Sequence, residues 1–206
     1  MQLRYKTELT DEQYVTESAW EDATLSRCPL HPEGGCGFAR HGTYPRVKPA
    51  GTKVPRWYCG KGRRTFSLLP DCLAARLSGS LDEVERAVEV VEQASSQEIA
   101  SDRLRPDIEL PGALRWIRHR TTPVHRALNA IKGLIPEPFA ALPATITDFR
   151  EALGVVHLLP ALREIAEEHL PHLPPPLGFR PPLRQGGDSR TGFQHGTGTD
   201  PPMALR

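Results

Sequence analysis

Apolar residues are sparse in this sequence, and long apolar runs are missing from it. Only 38% of the 206 residues are hydrophobic and 6% are aromatic. No run approaches the ~20 apolar residues that a membrane-spanning helix needs, and residues 1–22 lack the apolar core of a signal peptide. These shortages argue against a membrane protein, and we expect the protein to be cytoplasmic.

The sequence also lacks the common signatures of a catalytic site. It has no Gly-x-Ser-x-Gly elbow, no phosphate-binding P-loop and no Gly-x-Gly-x-x-Gly motif that leads into a helix. After Phe66 the periodicity is helical, so no series of strands remains to carry the carboxylates of a two-metal nuclease. We therefore expect that the protein is not an enzyme.

Net charge is small as well, since 26 basic residues oppose 25 acidic ones and leave +1. The charge is nevertheless unevenly distributed: -4 in residues 1–26, +8 in 27–70, -6 in 71–112, +5 in 113–135 and -2 in 136–206. A solvated charged face is one interpretation of a single basic segment. Two basic segments favour an anionic partner that is contacted at two places.

Cysteine is scarce, and three of the four cysteines accompany a histidine in the first basic segment. Cys28 and His31 are followed by Cys36 and, on a predicted return strand, by Cys59. Three Cys and one His form an accepted tetrahedral ligand set for structural zinc. A metal would also stabilise a hairpin too small to fold by burial alone. The alternatives are ordinary loop and buried thiols, or His41 as the ligand in place of His31.

The hydrophobic pattern predicts an α+β fold that is mainly α. Residues 38–44 and 53–58 have strand character on either side of a loop, which predicts a β-hairpin. The predicted organisation is an N-terminal arm (1–26), a zinc-ribbon-like hairpin (27–68), a helix-turn-helix-like helical domain (69–135), a helical appendage (136–170) and a disordered tail rich in Pro and Gly (171–206).

Within the helical domain, a short apolar helix that contains Cys72 is expected after Pro70, with that thiol packed rather than bound to metal. Ser80 and Glu83 form a capping box that opens the next helix. The other predicted helices of the chain are 97–104, 112–120, 123–135, 147–159 and 161–170.

Helices 97–104 and 112–120 resemble the pair of a helix-turn-helix, whose second helix enters the major groove of DNA. A bundle with a basic edge is the alternative, because the connector 105–110 is longer than in a strict helix-turn-helix. The candidate base or phosphate contacts on the second helix are Arg115, Arg118, His119 and Arg120.

The basic hairpin offers contacts of a different kind. Its Lys and Arg residues are interleaved with Tyr44, Trp57 and Tyr58, which suits phosphate contact and some stacking with little sequence specificity. The candidate residues are Arg40, His41, Arg46, Lys48, Lys53, Arg56, Lys61, Arg63 and Arg64.

Residues 28–67 resemble the N-terminal zinc-ribbon region of bacterial insertion-sequence transposases and of their solitary relatives without a catalytic domain. The shared pattern includes Arg40-His41-Gly42, Trp57-Tyr58-Cys59 and Arg64-Thr65-Phe66-Ser67, and the region 81–134 is similar to the helical region that follows in such proteins. The second knuckle departs from the pattern, because the usual ligand is missing at Gly62 or Arg63.

The resemblance implies a DNA-binding protein with a structural Zn²⁺ and no catalytic core, as a mobile-element remnant or an accessory regulator. The implied partners are double-stranded DNA and either a second copy of the chain or a separate transposase subunit. Such a protein would be associated with the nucleoid when it is bound to DNA. The alternative function is a protein-interaction or scaffold module built on a helical bundle.

Overall fold

The computed structural model describes residues 1–179; most of the predicted tail, 180–206, lies outside this range. The fold is α+β, as predicted. In chain order the elements are β1 (Gln2–Tyr5), α1 (Asp11–Thr16), β2 (Ala39–Pro45), β3 (Lys53–Cys59), β4 (Arg64–Pro70), α2 (Leu81–Gln93), α3 (Gln97–Leu104), α4 (Leu110–Leu134), α5 (Pro136–Phe139), α6 (Ile146–Leu153), α7 (Leu158–Ile165) and a 3-10 turn (Glu167–His169).

The predicted hairpin is confirmed as β2 and β3, but it belongs to a larger sheet. The strand order is β1-β4-β3-β2, with β1 parallel to β4 and the other pairs antiparallel. The prediction of an aperiodic arm at 1–26 was wrong, because β1 adds to the sheet and a Thr10 capping box starts α1. Sheet pairing, which no local pattern reveals in so short a strand, orders this segment.

Within residues 1–179 the buried hydrophobic residues form three packed clusters, the smallest of which contains Tyr14 and Trp20. Ala23, Trp57, Phe66 and Leu68 pack with the three cysteines of the predicted metal site on one side of the sheet. A larger cluster joins the other face of the sheet, through Val54 of β3 and Leu69 of β4, to the helices. The sheet therefore carries a small core with the cysteines and a second core under the helices.

Helices α2, α3 and α4 pack pairwise against one another. Ser80 and Glu83 form the predicted capping box at the start of α2. Helices 112–120 and 123–135 were predicted as separate, but both lie in the single 25-residue helix α4, which has Pro123 inside it. A proline removes one backbone donor, and this helix continues through that loss.

The short helix predicted after Pro70 is not formed; residues 71–80 are a buried loop. Its carbonyls have a side-chain donor, since the buried guanidinium of Arg163 donates to the carbonyl oxygens of Asp71 (2.9 Å) and Leu73 (2.8 Å). The same guanidinium donates to the Pro176 carbonyl at 2.7 Å. Arg163 thereby replaces helical hydrogen bonds and ties this loop to the C-terminal segment.

The acidic residues of α2 have internal partners. The buried carboxylate of Glu85 accepts hydrogen bonds from the backbone N–H groups of Leu158 and Leu159, at 2.9 and 2.8 Å. It also accepts from Arg150 at 2.8 Å. Glu92 accepts from the Ile146 N–H at 2.9 Å. These carboxylates hold the N-termini of α6 and α7, where a negative charge is favourable.

The C-terminal part departs from two predictions. Residues 171–179 were placed in the tail, yet Leu173, Leu177 and Phe179 are buried in the large cluster. The predicted helices 147–159 and 161–170 were separated at Pro160, whereas the observed break comes earlier. It falls at Gly154, which caps α6 in the left-handed conformation. Pro160 lies in the first turn of α7, where its missing N–H costs little. Within residues 1–179 we find no helix with the length and apolarity needed to cross a bilayer.

Candidate metal centre and basic surfaces

The four predicted ligands come together in space. The ligand atoms of Cys28, His31, Cys36 and Cys59 all lie within 4.8 Å of one another. Nδ1 of His31 is 3.4 Å from Sγ of Cys59 and 3.8 Å from Sγ of Cys28. The three thiols are buried. This Cys3His cluster could hold a metal ion, and His41, the substitute ligand, is not part of it.

Local backbone structure positions each ligand. Cys28 and His31 face each other across a tight turn in which the His31 N–H donates to the Cys28 carbonyl oxygen at 3.2 Å. Cys59 is the last residue of β3. The N–H of Lys61 donates to the Cys36 carbonyl oxygen at 3.0 Å, which joins the Cys36 loop to the turn after β3.

Gly62 accounts for the missing ligand of the second knuckle. Its N–H donates to Sγ of Cys59 at 3.2 Å. A Cβ at this position would lie 2.8 Å from Cδ1 of Leu30 and 3.2 Å from Sγ of Cys59. In the sequence this glycine is a gap in the ligand pattern. In the structure His31 is the fourth member of the cluster, and Gly62 donates a hydrogen bond to the candidate ligand Cys59.

The electrostatics of the cluster favour loss of one thiol proton. Desolvation raises the pKa of Cys28, but hydrogen bonds with the His31 side chain and the adjacent backbone outweigh it, and the pKa falls to about 7. Desolvation and the two neighbouring thiols raise the pKa of Cys36 to about 11. A bound cation would stabilise the remaining thiolates, so metal binding and proton release are coupled.

Cys72 lies outside the cluster, as the sequence indicated. It contacts the small aromatic group formed by Tyr14 and Trp20. Burial raises the pKa of its thiol to about 12. This cysteine is a packing residue in an environment that keeps it protonated.

The turn between β3 and β4 is the most basic part of the sheet. Lys61, Arg63 and Arg64 are exposed there, directly after the ligand Cys59. Lys48 and Lys53 are exposed at the opposite end of the β2–β3 hairpin, with the Lys53 amine 5.4 Å from the centre of the Trp20 ring. Because Lys61 follows Cys59 closely in the chain, a metal held at Cys59 would also fix the position of this basic turn.

Three arginines predicted to contact DNA also have structural contacts. Arg46 is partly buried and donates to the carbonyls of Ala74 (3.1 Å) and Leu77; burial lowers its pKa. Arg40 is exposed but donates to the Trp20 carbonyl at 2.6 Å. Arg56 is half-buried and donates to the Thr43 carbonyl oxygen at 3.4 Å. Arg46 therefore does not belong to the exposed basic surface.

The second predicted basic set lies on the first half of α4. Arg115, Arg118 and His119 are exposed. Arg120 is half-buried, with its guanidinium 3.7 Å from the centre of the Trp116 ring. Burial and the nearby Arg105 lower the pKa of Arg120. The exposed part of this set consists of the first three residues.

Among the aromatic residues interleaved with the basic hairpin, Trp57 is buried at 5% exposure. It packs beside the cysteines of the metal site. Tyr44 and Tyr58 remain half-exposed. An external ring could therefore stack on either tyrosine but could not reach Trp57.

Comparison with protein-family models, with curated proteins and with solved structures found no match to this chain.

Proposed function

We propose that the Cys3His cluster binds one structural Zn²⁺. In a tetrahedron with Zn–S bonds of about 2.3 Å and a Zn–N bond of about 2.0 Å, sulfur and nitrogen are roughly 3.5 Å apart. The His31 nitrogen is 3.4 and 3.8 Å from two of the sulfurs. All four positions are filled by protein, which is typical of structural rather than catalytic zinc.

The protein is proposed to bind double-stranded DNA through its basic surfaces. The observation that carries this proposal is the turn after Cys59, where Lys61, Arg63 and Arg64 are exposed together. None of these three residues forms an ion pair within residues 1–179. Unpaired, clustered cations are available to replace the counterions of a phosphate backbone.

The exposed face of α4 is the proposed second contact. Arg115 and His119 are four residues apart and therefore share a helix face, with Arg118 beside them. Arginines on a helix can contact guanine edges or phosphates in the major groove. The sheet turn would then supply affinity, and α4 would supply any preference for sequence.

No catalytic core is part of the proposal. The carboxylates of α2 are the densest acidic group in the helices, and Glu85, Glu89 and Glu92 are bound to Arg150 or to helix N-termini. We propose an accessory or remnant DNA-binding protein of the transposase-related kind, active in the cytoplasm and on the nucleoid. It would act with a second copy of itself or with a separate transposase subunit.

The alternative, a scaffold module that binds a protein through acidic and apolar helix faces, is less well supported. That interpretation needs the acidic face of α2 to be free for a partner. Glu85 is buried and Arg150 covers Glu89, so this face is already occupied within the chain.

Fluorescence anisotropy with a labelled duplex of about 30 base pairs tests DNA binding. The affinity should fall steeply between 50 and 200 mM salt, roughly in proportion to the number of phosphate contacts. The variants Lys61→Ala, Arg63→Ala and Arg64→Ala should each weaken binding and reduce the salt slope by about one. Arg86→Ala, which removes an exposed charge from α2, is the matched control. Absence of any shift with the wild type at 50 mM salt would refute DNA binding.

A further inference from the structure

One face of the sheet presents rings and a guanidinium that are at least partly exposed to solvent. Side chains alternate along β3, so Trp57 and Cys59 point into the small core, while Arg56 and Tyr58 lie on the opposite face. On β2, His41 and Tyr44 contact this second face. We call these four residues, His41, Tyr44, Arg56 and Tyr58, the ring face.

The four side chains form two pairs. The rings of His41 and Tyr58 have centroids 5.7 Å apart and planes inclined by 42°. The Arg56 guanidinium carbon lies 5.7 Å from the centre of the Tyr44 ring. His41 is exposed, and the other three are half-exposed. The pairs support one another without covering their outer surfaces.

The residues that neighbour Tyr58 and Arg56 on the adjacent strands have small side chains. Ala39 lies opposite Tyr58 on one side, and Thr65 lies opposite it on the other. Ser67 lies opposite Arg56. These small side chains leave the rings as the most prominent apolar groups on this part of the sheet.

The charge of the sheet favours an anionic occupant. None of the four strands found within residues 1–179 contains an acidic residue. The Arg56 guanidinium donates to the Thr43 carbonyl oxygen at 3.4 Å, which holds its positive charge on this face. The basic turn of Lys61 and Arg63 follows β3 directly. A ligand that carries both flat rings and anionic groups would complement the exposed rings and the neighbouring basic residues.

We propose that the ring face binds the unpaired bases of single-stranded DNA. Aromatic and guanidinium planes stack on bases of any sequence, while basic residues follow the phosphates. Bases inside a duplex are stacked on each other and cannot reach such a surface. This inference rests on the proposed DNA-binding function and extends it, because duplex is bound by the basic turn and α4, and opened strand is bound by the ring face.

The test compares fluorescein-labelled dT12 with a labelled 20-base-pair duplex on the zinc-loaded full chain. Tyr58→Leu removes a ring from the face, and Tyr58→Phe is the matched control that keeps the ring. Tyr58→Leu should lose roughly 5- to 100-fold in affinity for dT12. Duplex affinity should change less than about twofold, and Tyr58→Phe should resemble the wild type. Circular dichroism and zinc content establish that each variant is folded.

The outcomes separate this inference from the general proposal. The ring-face proposal is refuted if the wild type binds duplex but not dT12. It is also refuted if Tyr58→Leu loses the same affinity for both probes; in either case duplex binding by the wild type still stands. Tyr58-dependent binding to dT12 without duplex binding supports the ring face and refutes the duplex proposal. Tighter, equally Tyr58-dependent binding of rU12 than of dT12 would overturn the assignment to DNA. No binding to any probe refutes both.

Discussion

Nδ1 of His31 lies 3.4 Å from Sγ of Cys59, although 28 residues separate them in the chain. His31 is in a turn that precedes the sheet, and Cys59 ends its third strand. Their proximity brings the irregular loop 27–37 against the β3–β4 turn. A metal held between them would fix both the loop and the basic residues that follow Cys59.

Removal of the metal should destabilise the protein. The cluster is part of a small core, and a ligand that binds only the folded state adds its binding free energy to stability. A strong zinc chelator should lower the thermal unfolding midpoint by more than about 5 °C, a shift of roughly 1–2 kcal/mol or more. The measurement is circular dichroism with and without chelator. Cys72→Ser, which alters a thiol outside the cluster, should keep this chelator sensitivity, and a chelator-insensitive wild type would contradict the account.

Gly62→Ala should weaken metal binding without changing any ligand. The added Cβ would approach Leu30 and Sγ of Cys59, and the N–H group that donates to this sulfur would shift. Loss of such a supporting hydrogen bond typically costs roughly tenfold or more in metal affinity. Competition with a chromophoric chelator measures it.

Gly133→Ala is the matched control for this substitution. A Cβ at Gly133, inside α4, meets no atom within 4 Å. The change should leave metal affinity unaltered and raise stability by about 0.5–1 kcal/mol. Equal metal affinity in Gly62→Ala and Gly133→Ala would show that the close contact at Gly62 is unimportant.

Glu85→Gln should destabilise the helical part of the fold. The carboxylate accepts from two backbone N–H groups of α7 and from Arg150, and it is 2% exposed. An amide lacks the charge and turns one acceptor into a donor, so the free energy of unfolding should fall by about 3 kcal/mol. Urea denaturation measures the change. Glu151→Gln, at an exposed site on α6, should stay within about 0.5 kcal/mol of the wild type.

Arg4 and Lys6 both form ion pairs with Glu164 of α7, and this group predicts a specific acid sensitivity. Hydrogen bonds from Lys6 and Arg4 lower the pKa of Glu164 from 4.5 to about 2. A carboxyl whose pKa is lower in the folded state contributes stability above pH 4.5 and loses it as the pH falls toward 2. Glu164→Gln should therefore show a smaller fall in thermal midpoint across this window than the wild type. Identical pH profiles would contradict the assignment.

The sequence predicted the four members of the Cys3His cluster, because the spacing of three of them and the return of the hairpin are short-range features. Cys28, His31 and Cys36 are close in the chain, and the hairpin pattern of residues 38–58 predicted how Cys59 returns to them. The β2 and β3 strands were predictable for the same reason, since alternation and turn residues are short-range signals. The place of Gly62 was not predictable, because it depends on a contact with Leu30 that only the folded turn creates.

Hydrogen bonds between residues far apart in the chain explain the other differences between the predicted and the observed secondary structure. Leu73, Ala75 and Leu77 have the composition of a helix, but Arg163 supplies donors to a loop from about 90 residues away. Glu85 has the sequence context of a solvent-exposed helix face, yet it caps α7. Tertiary packing brings such partners together, and the helical periodicity of a sequence contains no information about it.

The metal content of the protein tests the central claim most directly. Elemental mass spectrometry should find one zinc per chain in the wild type, purified without added metal, and in Cys72→Ser. Cys59→Ser should hold markedly less, because one of four ligands is lost. A wild-type protein that is folded by circular dichroism and contains no stoichiometric zinc, before or after incubation with Zn²⁺, would contradict the account.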